Sequence, residues 1–370
     1  MKQKYFWTII PIISFLFLNE LILDDKIPLA SDMVAHEPIK KWIDSTSEFP
    51  HWFPNLFSGM PSYGGYIYTP GHPLKIVLDF LLFNTGVKLW FYLSIGGLGL
   101  FFFLKFLKVS NYSSLFAGIA YSLTPYVFGL ISAGHNNKIM AGGFIPWVVF
   151  GAIYMFKYPS IKSVLFFSIA SALQLWTNHP QIVYYTWMVI GLWWLLNLIF
   201  IIVKKESNVK KSLNNLGLML LSLVISLLMV SDPYYEVYTF QGESNRGAPS
   251  VLDDTNDTEK GTKWDYATQW SFHPSESISL ILPYYYGLQN FSVKDRSNPE
   301  KFMKQASYWG YMPFTQSTHY LGLLIIIISF FSIWFCFKKK DFNATELYLW
   351  IIAIAVLVTG FGSHFSILFK

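Results

Sequence analysis

Nine runs of apolar residues set the limits on what this chain can fold into. They fall at about 6–23, 87–106, 113–132, 139–156, 162–177, 181–203, 213–230, 319–337 and 345–361. A helix needs about 20 such residues to cross ~30 Å of hydrocarbon. The chain is 53% hydrophobic and only 13% charged, where a soluble domain carries about 25% charged residues. Its mean hydropathy is +0.38. An ordinary soluble domain is excluded. The pattern predicts an all-α polytopic membrane protein with about nine transmembrane helices, forming one transmembrane domain over residues 1–370. Two long loops are expected, at 24–73 and 231–318. Gly96, Gly97 and Gly99 allow close helix approach in the second run, and Pro125 predicts a kink in the third. A short apolar segment at 74–84 is too short to cross and is read as interfacial or re-entrant.

The connections sort by charge. Lys2 and Lys4, Lys105 and Lys108, Lys157 and Lys162, Lys204, Lys205, Lys210 and Lys211, and Lys338–Lys340 occupy alternate connections. They make up 13 of the 27 lysines and arginines, while the short turns on the opposite side hold only Lys138. The positive-inside rule then puts the N-terminus in the cytoplasm and both long loops outside it. The formal charge of +5 is topological information, so no nucleic-acid partner is expected. Lys2 and Lys4 precede the first apolar run as in a signal peptide, but no cleavage pattern follows, and an uncleaved span is expected. Cys336 is the single cysteine, so no internal disulfide can brace the loops. The chain stops a few residues past its last run, and it is read as the N-terminal part of a longer protein.

Polar groups gather in the lysine-poor connections. Asp32, in Ser31-Asp32-Met33, could deprotonate an acceptor hydroxyl, hold a divalent cation with His36, or cap a helix starting near Met33. His135-Asn136-Asn137-Lys138 follows Gly134 in a tight turn. Its donors suit a phosphate, although a solvated turn with a snorkelling lysine reads equally well. Asn178-His179-Pro180-Gln181 has turn chemistry, with His179 and Gln181 adding hydrogen-bonding groups at the depth of His135. Asp232, in Ser231-Asp232-Pro233, is either a second carboxylate or a helix cap. The loop beyond is rich in Tyr and Trp, Trp270 among them. Such rings anchor a protein in the headgroup zone and also stack on sugars. No P-loop, H-E-x-x-H, C-x-x-C pair or nucleophile elbow is present. Any chemistry here therefore needs a substrate that arrives activated.

Five stretches together resemble the bacterial YfhO-like membrane proteins of the GT-C class of glycosyltransferases. They are Pro54-Asn55-Leu56-Phe57-Ser58-Gly59-Met60-Pro61, Gly134-His135-Asn136-Asn137-Lys138, Asn178-His179-Pro180-Gln181, Asp265-Tyr266-Ala267-Thr268-Gln269-Trp270-Ser271 and Tyr308-Trp309-Gly310-Tyr311-Met312-Pro313-Phe314-Thr315. Two positions depart from that pattern: Ser31 stands where glycine is common, and Met312 where a polar residue is expected. The resemblance implies a GT-C-like helical bundle in the bacterial cytoplasmic membrane. Its donor would be a polyprenyl-phosphate sugar, its acceptor an extracytoplasmic glycan, lipid or protein, and its environment membrane lipid. It implies a catalytic carboxylate in the first outer loop, matched here by Asp32. His135, Asn137, Lys138, His179, Gln181, Asp232 and Trp270 are the expected substrate-binding set. A divalent cation is compatible with this chemistry, and no other cofactor is implied. A lipid or lipid-linked-sugar transporter is the competing class, predicting ionisable groups at mid-span. A non-catalytic envelope assembly protein of the same fold is the third.

Overall fold

The computed structural model describes residues 3–24, 38–39, 41–47, 50–54, 58–62, 73–206, 208–241, 268–288, 291–298, 300–312, 319–339 and 344–368, with Lys26, Pro28 and Trp264 as single positions. Asp32, His36 and the whole stretch between 242 and 263 lie outside the described residues. The described chain is mostly helical, as the apolar runs require. After a 3₁₀ turn at Gln3–Thr8 come α1 (Ile9–Leu23), the short α2 (Pro73–Leu81), α3 (Thr85–Phe106), α4 (Asn111–Ser122), α5 (Pro125–Ala133) and α6 (Asn136–Lys157). Then follow α7 (Ile161–Trp176), α8 (Pro180–Val203), α9 (Val209–Met229), α10 (Ser231–Gln241), α11 (Leu323–Lys339) and α12 (Ala344–Gly360).

Six segments are long and apolar enough to cross a membrane: Tyr5–Leu23, Thr85–Phe106, Asn111–Ala133, Asn136–Lys157, Pro180–Val203 and Val209–Met229. Three shorter apolar helices correspond to the remaining expected spans. Many of the apolar side chains on these helices face outward, as with Leu195, Ile199 and Ile202 on α8 and Leu220, Val224 and Leu228 on α9. Water would penalise that arrangement, and lipid favours it.

The structure departs from the sequence reading in two places. The third run forms one span-length segment, Asn111–Ala133, and its expected kink at Pro125 is a full interruption of the helix. The helix breaks between Ser122 and Pro125, because the residue before proline is pushed out of the helical region. Strands also interrupt the all-helical expectation. Trp52–Phe53 pairs antiparallel with Met60–Pro61, and Phe291–Lys294 pairs antiparallel with Phe302–Gln305. Segment 74–84 forms the nine-residue α2, with Phe80 81% exposed.

The chain divides into two compact units, Met1–Leu123 with Gly134–Gly261, and Thr124–Ala133 with Thr262–Lys370. In the first, glycines set how closely the helices approach. A Cβ on Gly97 of α3 would lie 2.1 Å from Ser122 Oγ and 2.6 Å from Gly118 O of α4. One on Gly143 of α6 would lie 2.6 Å from Tyr92 O of α3. Side chains then reach neighbouring backbones: Ser122 Oγ donates to Leu93 O (2.8 Å), Trp147 Nε1 to Ile95 O (2.9 Å) and Tyr121 OH to Gly142 O (2.7 Å). This small-residue packing is how helices associate where lipid removes the hydrophobic drive. The apolar core lies among α6, α7, α8 and α9, around Val148, Met155, Phe167, Ile190 and Met219. Short connections make α6 to α9 successive antiparallel neighbours, so their lysine-rich and lysine-poor ends alternate along the chain. Asn84 caps α3 through Val87 N (2.7 Å) and donates to Ile22 O at the end of α1 (3.3 Å).

The second unit contains α5, α11, α12, the Phe291–Gln305 hairpin and a 3₁₀ turn at Pro274–Leu280. Glu346 at the start of α12 accepts from Ser332 Oγ and from Cys336 Sγ (2.6 Å) on α11.

Candidate site at the lysine-poor helix ends

Two tight turns build the candidate site in the first unit. Gly134 adopts a positive φ of 81°, a conformation glycine takes without a Cβ penalty. His135 then stands at the N-cap of α6 and Lys138 in its first turn. That one-turn spacing brings Lys138 Nζ to 3.4 Å from His135 Nδ1. The second turn follows α7. Asn178 takes the left-handed conformation (φ 57°), which asparagine tolerates at a helix C-terminus. His179 caps α8, its Nδ1 accepting from Ile182 N at 3.4 Å, and Pro180 begins the helix. An Nδ1 that accepts leaves the Nε2–H as donor on the opposite edge of the ring.

His135, Lys138 and His179 act on one another electrostatically. Burial lowers the proton affinity of His179, and the Lys138 ammonium lowers it further. A backbone hydrogen bond opposes both, and His135 adds a smaller lowering. His179 is therefore neutral at neutral pH. The N-termini of α6 and α8 carry the positive ends of their dipoles here. Lys138 sits in the first turn of a helix, where a cation is disfavoured, beside two imidazoles. Two helix N-termini, an ammonium and two imidazole rings together make this end of the bundle electrostatically favourable to an anion.

The other expected site residues separate. Asn137 is exposed and makes no described contact with the cluster. Gln181 is exposed too, its Nε2 donating to Tyr185 OH (2.8 Å) one turn along α8. The sequence placed it beside His179, but the 100° step between helix residues turns it aside. Asp232 lies in the first turn of α10, exposed. Tyr234 OH donates to Leu175 O (2.8 Å), which ties that turn to the last turn of α7, close in sequence to His179. Asp232 thus shares an end of the bundle with the cluster without touching it. Trp270 belongs to the second unit and is half-exposed. Asp32 and His36, which would hold any divalent ion, lie outside the described residues. Among the described residues no group of three or more His, Cys, Asp or Glu could hold a metal.

Two constellations were not read from the sequence. Gln174 of α7 is fully buried and joins three helices, donating to Ala141 O of α6 (3.2 Å) and Thr186 Oγ1 of α8 (3.1 Å). Its Oε1 has no partner. It supports the α6–α7–α8 ends beneath the His135–Lys138–His179 cluster, and a lone amide inside an apolar run was its signal. In the second unit Glu276 is 3% exposed. Tyr308 OH lies 2.9 and 3.0 Å from its two oxygens, and Tyr311 N donates to it at 2.6 Å. Burial raises the Tyr308 phenol above its ordinary value, and its bond to Glu276 pushes the same way against the opposing Met312 N–H. His273 stacks on Tyr311 at 3.8 Å and meets His364 edge-on at 4.7 Å. His319 packs against Tyr126 and Phe272, and burial lowers its proton affinity.

No protein-family model matches the chain, and no curated protein and no solved structure shows a significant likeness to it.

Proposed function

We propose that this chain is a membrane glycosyltransferase that moves a sugar from a polyprenyl-phosphate donor to an extracytoplasmic acceptor. The observation that carries the reading is the meeting of His135, Lys138 and His179 at two helix N-termini on the lysine-poor side. A lipid phosphate entering from the leaflet on that side meets ammonium and imidazole donors at its own depth. In this reading nine helices cross the membrane. The six long segments are joined by the shorter α7, α11 and α12, and the N-terminus lies in the cytoplasm of a bacterial cell.

The chemistry is an inverting displacement. An acceptor hydroxyl oxygen attacks the anomeric carbon, and the carbon–oxygen bond to the donor phosphate breaks. Asp32 takes the hydroxyl proton. The leaving phosphate keeps the bond's electron pair, and its charge is stabilised by Lys138 Nζ and the ring N–H groups of His135 and His179. Asp232 stands at the same end of the bundle as a second carboxylate, suited to sugar hydroxyls. Transfer of radiolabelled sugar from polyprenyl-phosphate donors in membranes tests the proposal, with wild type compared with Asp32→Asn. Full transfer by a folded, inserted Asp32→Asn protein would overturn the role of Asp32. Donor binding and translocation without any transfer would favour the transporter class.

A further inference from the structure

The opposite, lysine-rich end of the same unit holds a cavity of 370 Å³ between α6, α8 and α9. That volume accommodates a small polar headgroup. Lys157 and Lys211 line it, together with Trp194, Ser212 and Asn215. Glu206 also lines it, so the three charged side chains leave one net positive charge. Lys157 stands in the last turn of α6, its Nζ 5.2 Å from the Phe106 ring and 5.6 Å from the Tyr158 ring. Lys211 lies in the first turn of α9, where the dipole disfavours a cation and favours an anion beside it.

The cavity wall also contains acceptors that the protein leaves unmatched. Asn215 is 8% exposed, and its Nδ2 is used on Phe156 O (3.2 Å). Its Oδ1 has no partner. Ser212 is 4% exposed; its backbone carbonyl accepts from Trp194 Nε1 (2.8 Å), while its Oγ has no partner. Buried polar atoms without partners are rare, and they mark places where a group is missing. Both residues line the cavity. Asn215 Oδ1 can only accept, so it needs a donor. Lysines donate, and so need an acceptor anion.

We propose that this cavity binds the headgroup of an anionic glycerophospholipid that carries free hydroxyls, such as phosphatidylglycerol, from the lysine-rich leaflet. The phosphate lies between Lys157 and Lys211, and the glycerol hydroxyls donate to Asn215 Oδ1 and meet Ser212 Oγ. Trp194 supports the glycerol carbons at the depth where tryptophan favours the interface. A zwitterionic amine headgroup places its ammonium against two lysines, and a choline headgroup has no donor for Asn215. Basic pockets between spans at this level are suited to acidic lipid headgroups. The inference is independent of the sugar-transfer proposal, since the two sites lie at opposite ends of α6.

The test uses the full chain in mild detergent, with thermal unfolding followed as lipid is titrated. Phosphatidylglycerol should raise the melting temperature at far lower concentration than phosphatidylcholine or phosphatidylethanolamine. Lys157→Gln with Lys211→Gln, both exposed and therefore tolerated by the fold, should weaken the phosphatidylglycerol response roughly 10-fold or more. Ser212→Ala should weaken it a few-fold while leaving the lipid-free protein as stable or more so, because it removes an unmatched hydroxyl. Equal stabilisation by phosphatidylglycerol and phosphatidylcholine overturns the proposal. So does a double-lysine variant that keeps the wild-type preference. A response to soluble glycerol phosphate with none to the lipid overturns the lipid as source.

Discussion

At one end of α6, Lys138 stands in the first helical turn beside His135. At the other, Lys157 stands in the last turn over an aromatic ring. The second position is electrostatically easy, because a cation complements a helix C-terminus. Lys105 at the end of α3 repeats it, with Nζ donating to Val109 O at 2.7 Å. The first position is costly, since the ammonium meets the positive end of the dipole and two imidazoles. Most lysines at the lysine-rich end are thus explained by topology and dipole. In the proposed function, Lys138 meets the donor phosphate. Lys162, Lys210 and Lys211 stand in first helical turns at the lysine-rich end, and of these Lys211 lines the cavity there.

The two ends also share a device. Gln174 beneath the first and Asn215 beside the second are buried amides whose nitrogen ties neighbouring helices and whose oxygen is unmatched. One end has the amide under a cluster of donors. The other has it in the wall of a cavity rimmed by lysines.

The largest expected contrast is catalytic. Asp32→Asn should lower sugar transfer by about 10²–10⁴-fold, the usual contribution of a general base. Lys138→Gln should lower it by about 10²-fold, as expected for loss of one donor to developing charge. Lys157→Gln with Lys211→Gln should leave transfer within about twofold of wild type in the same membranes, because screening decouples exposed charges more than a Debye length of ~8 Å apart. A large loss there would dissolve the distinction between the ends.

Next in size is the pair of amides. Gln174→Leu and Asn215→Leu should each cost about 1 kcal/mol of stability, the net worth of a buried hydrogen bond offset by relief of an unmatched oxygen. Chemical unfolding in detergent measures both. Only Gln174→Leu should also reduce transfer, since only it supports the ends of α6, α7 and α8.

The smallest effect is in pH. The proton affinity of His179 is depressed in the folded protein, so between its folded and unfolded pKa values the unfolded chain binds more protons. The stability His179 contributes is present above its ordinary value of about 6.5 and is lost as pH falls through that value toward the lower folded one. A bound phosphate acts the other way and favours the imidazolium, so donor affinity should rise a few-fold as pH drops below about 6.5. His179→Gln should flatten both trends, in melting temperature against pH and in KM against pH.

Much of the fold could be read from residues in order. Thr85–Phe106, Asn136–Lys157, Ile161–Trp176 and Pro180–Val203 lie within a few residues of the apolar runs that predicted them. The turns were also marked, by Gly134 and by Asn178 before Pro180. Less visible was the capping of α7, where Ser160 and Ser163 bond reciprocally in place of the usual Ser–Glu pair. The site was legible only as a set of polar turns. Its membership was not, because Gln181 and His179 are near neighbours in sequence and face different ways. Glu276 was hidden for a different reason. It lies in a segment without periodicity, and its partners Tyr308 and Tyr311 come from more than 30 residues further on.

Taken alone, the sequence determined that the chain is a polytopic helical protein, roughly where its long apolar helices lie, and which ends carry the lysines. Those properties depend on length and hydropathy along one dimension, and a bilayer reads them directly. The tertiary structure alone decided the rotation of each helix about its axis. That rotation is fixed by contacts such as Gly97 against Ser122, Gly143 against Tyr92 and Gly151 against Phe167, where there is no room for a further atom. It brings His135, Lys138 and His179 together, leaves Asn137 and Gln181 facing away, and opens the cavity beside Asn215 at the far end.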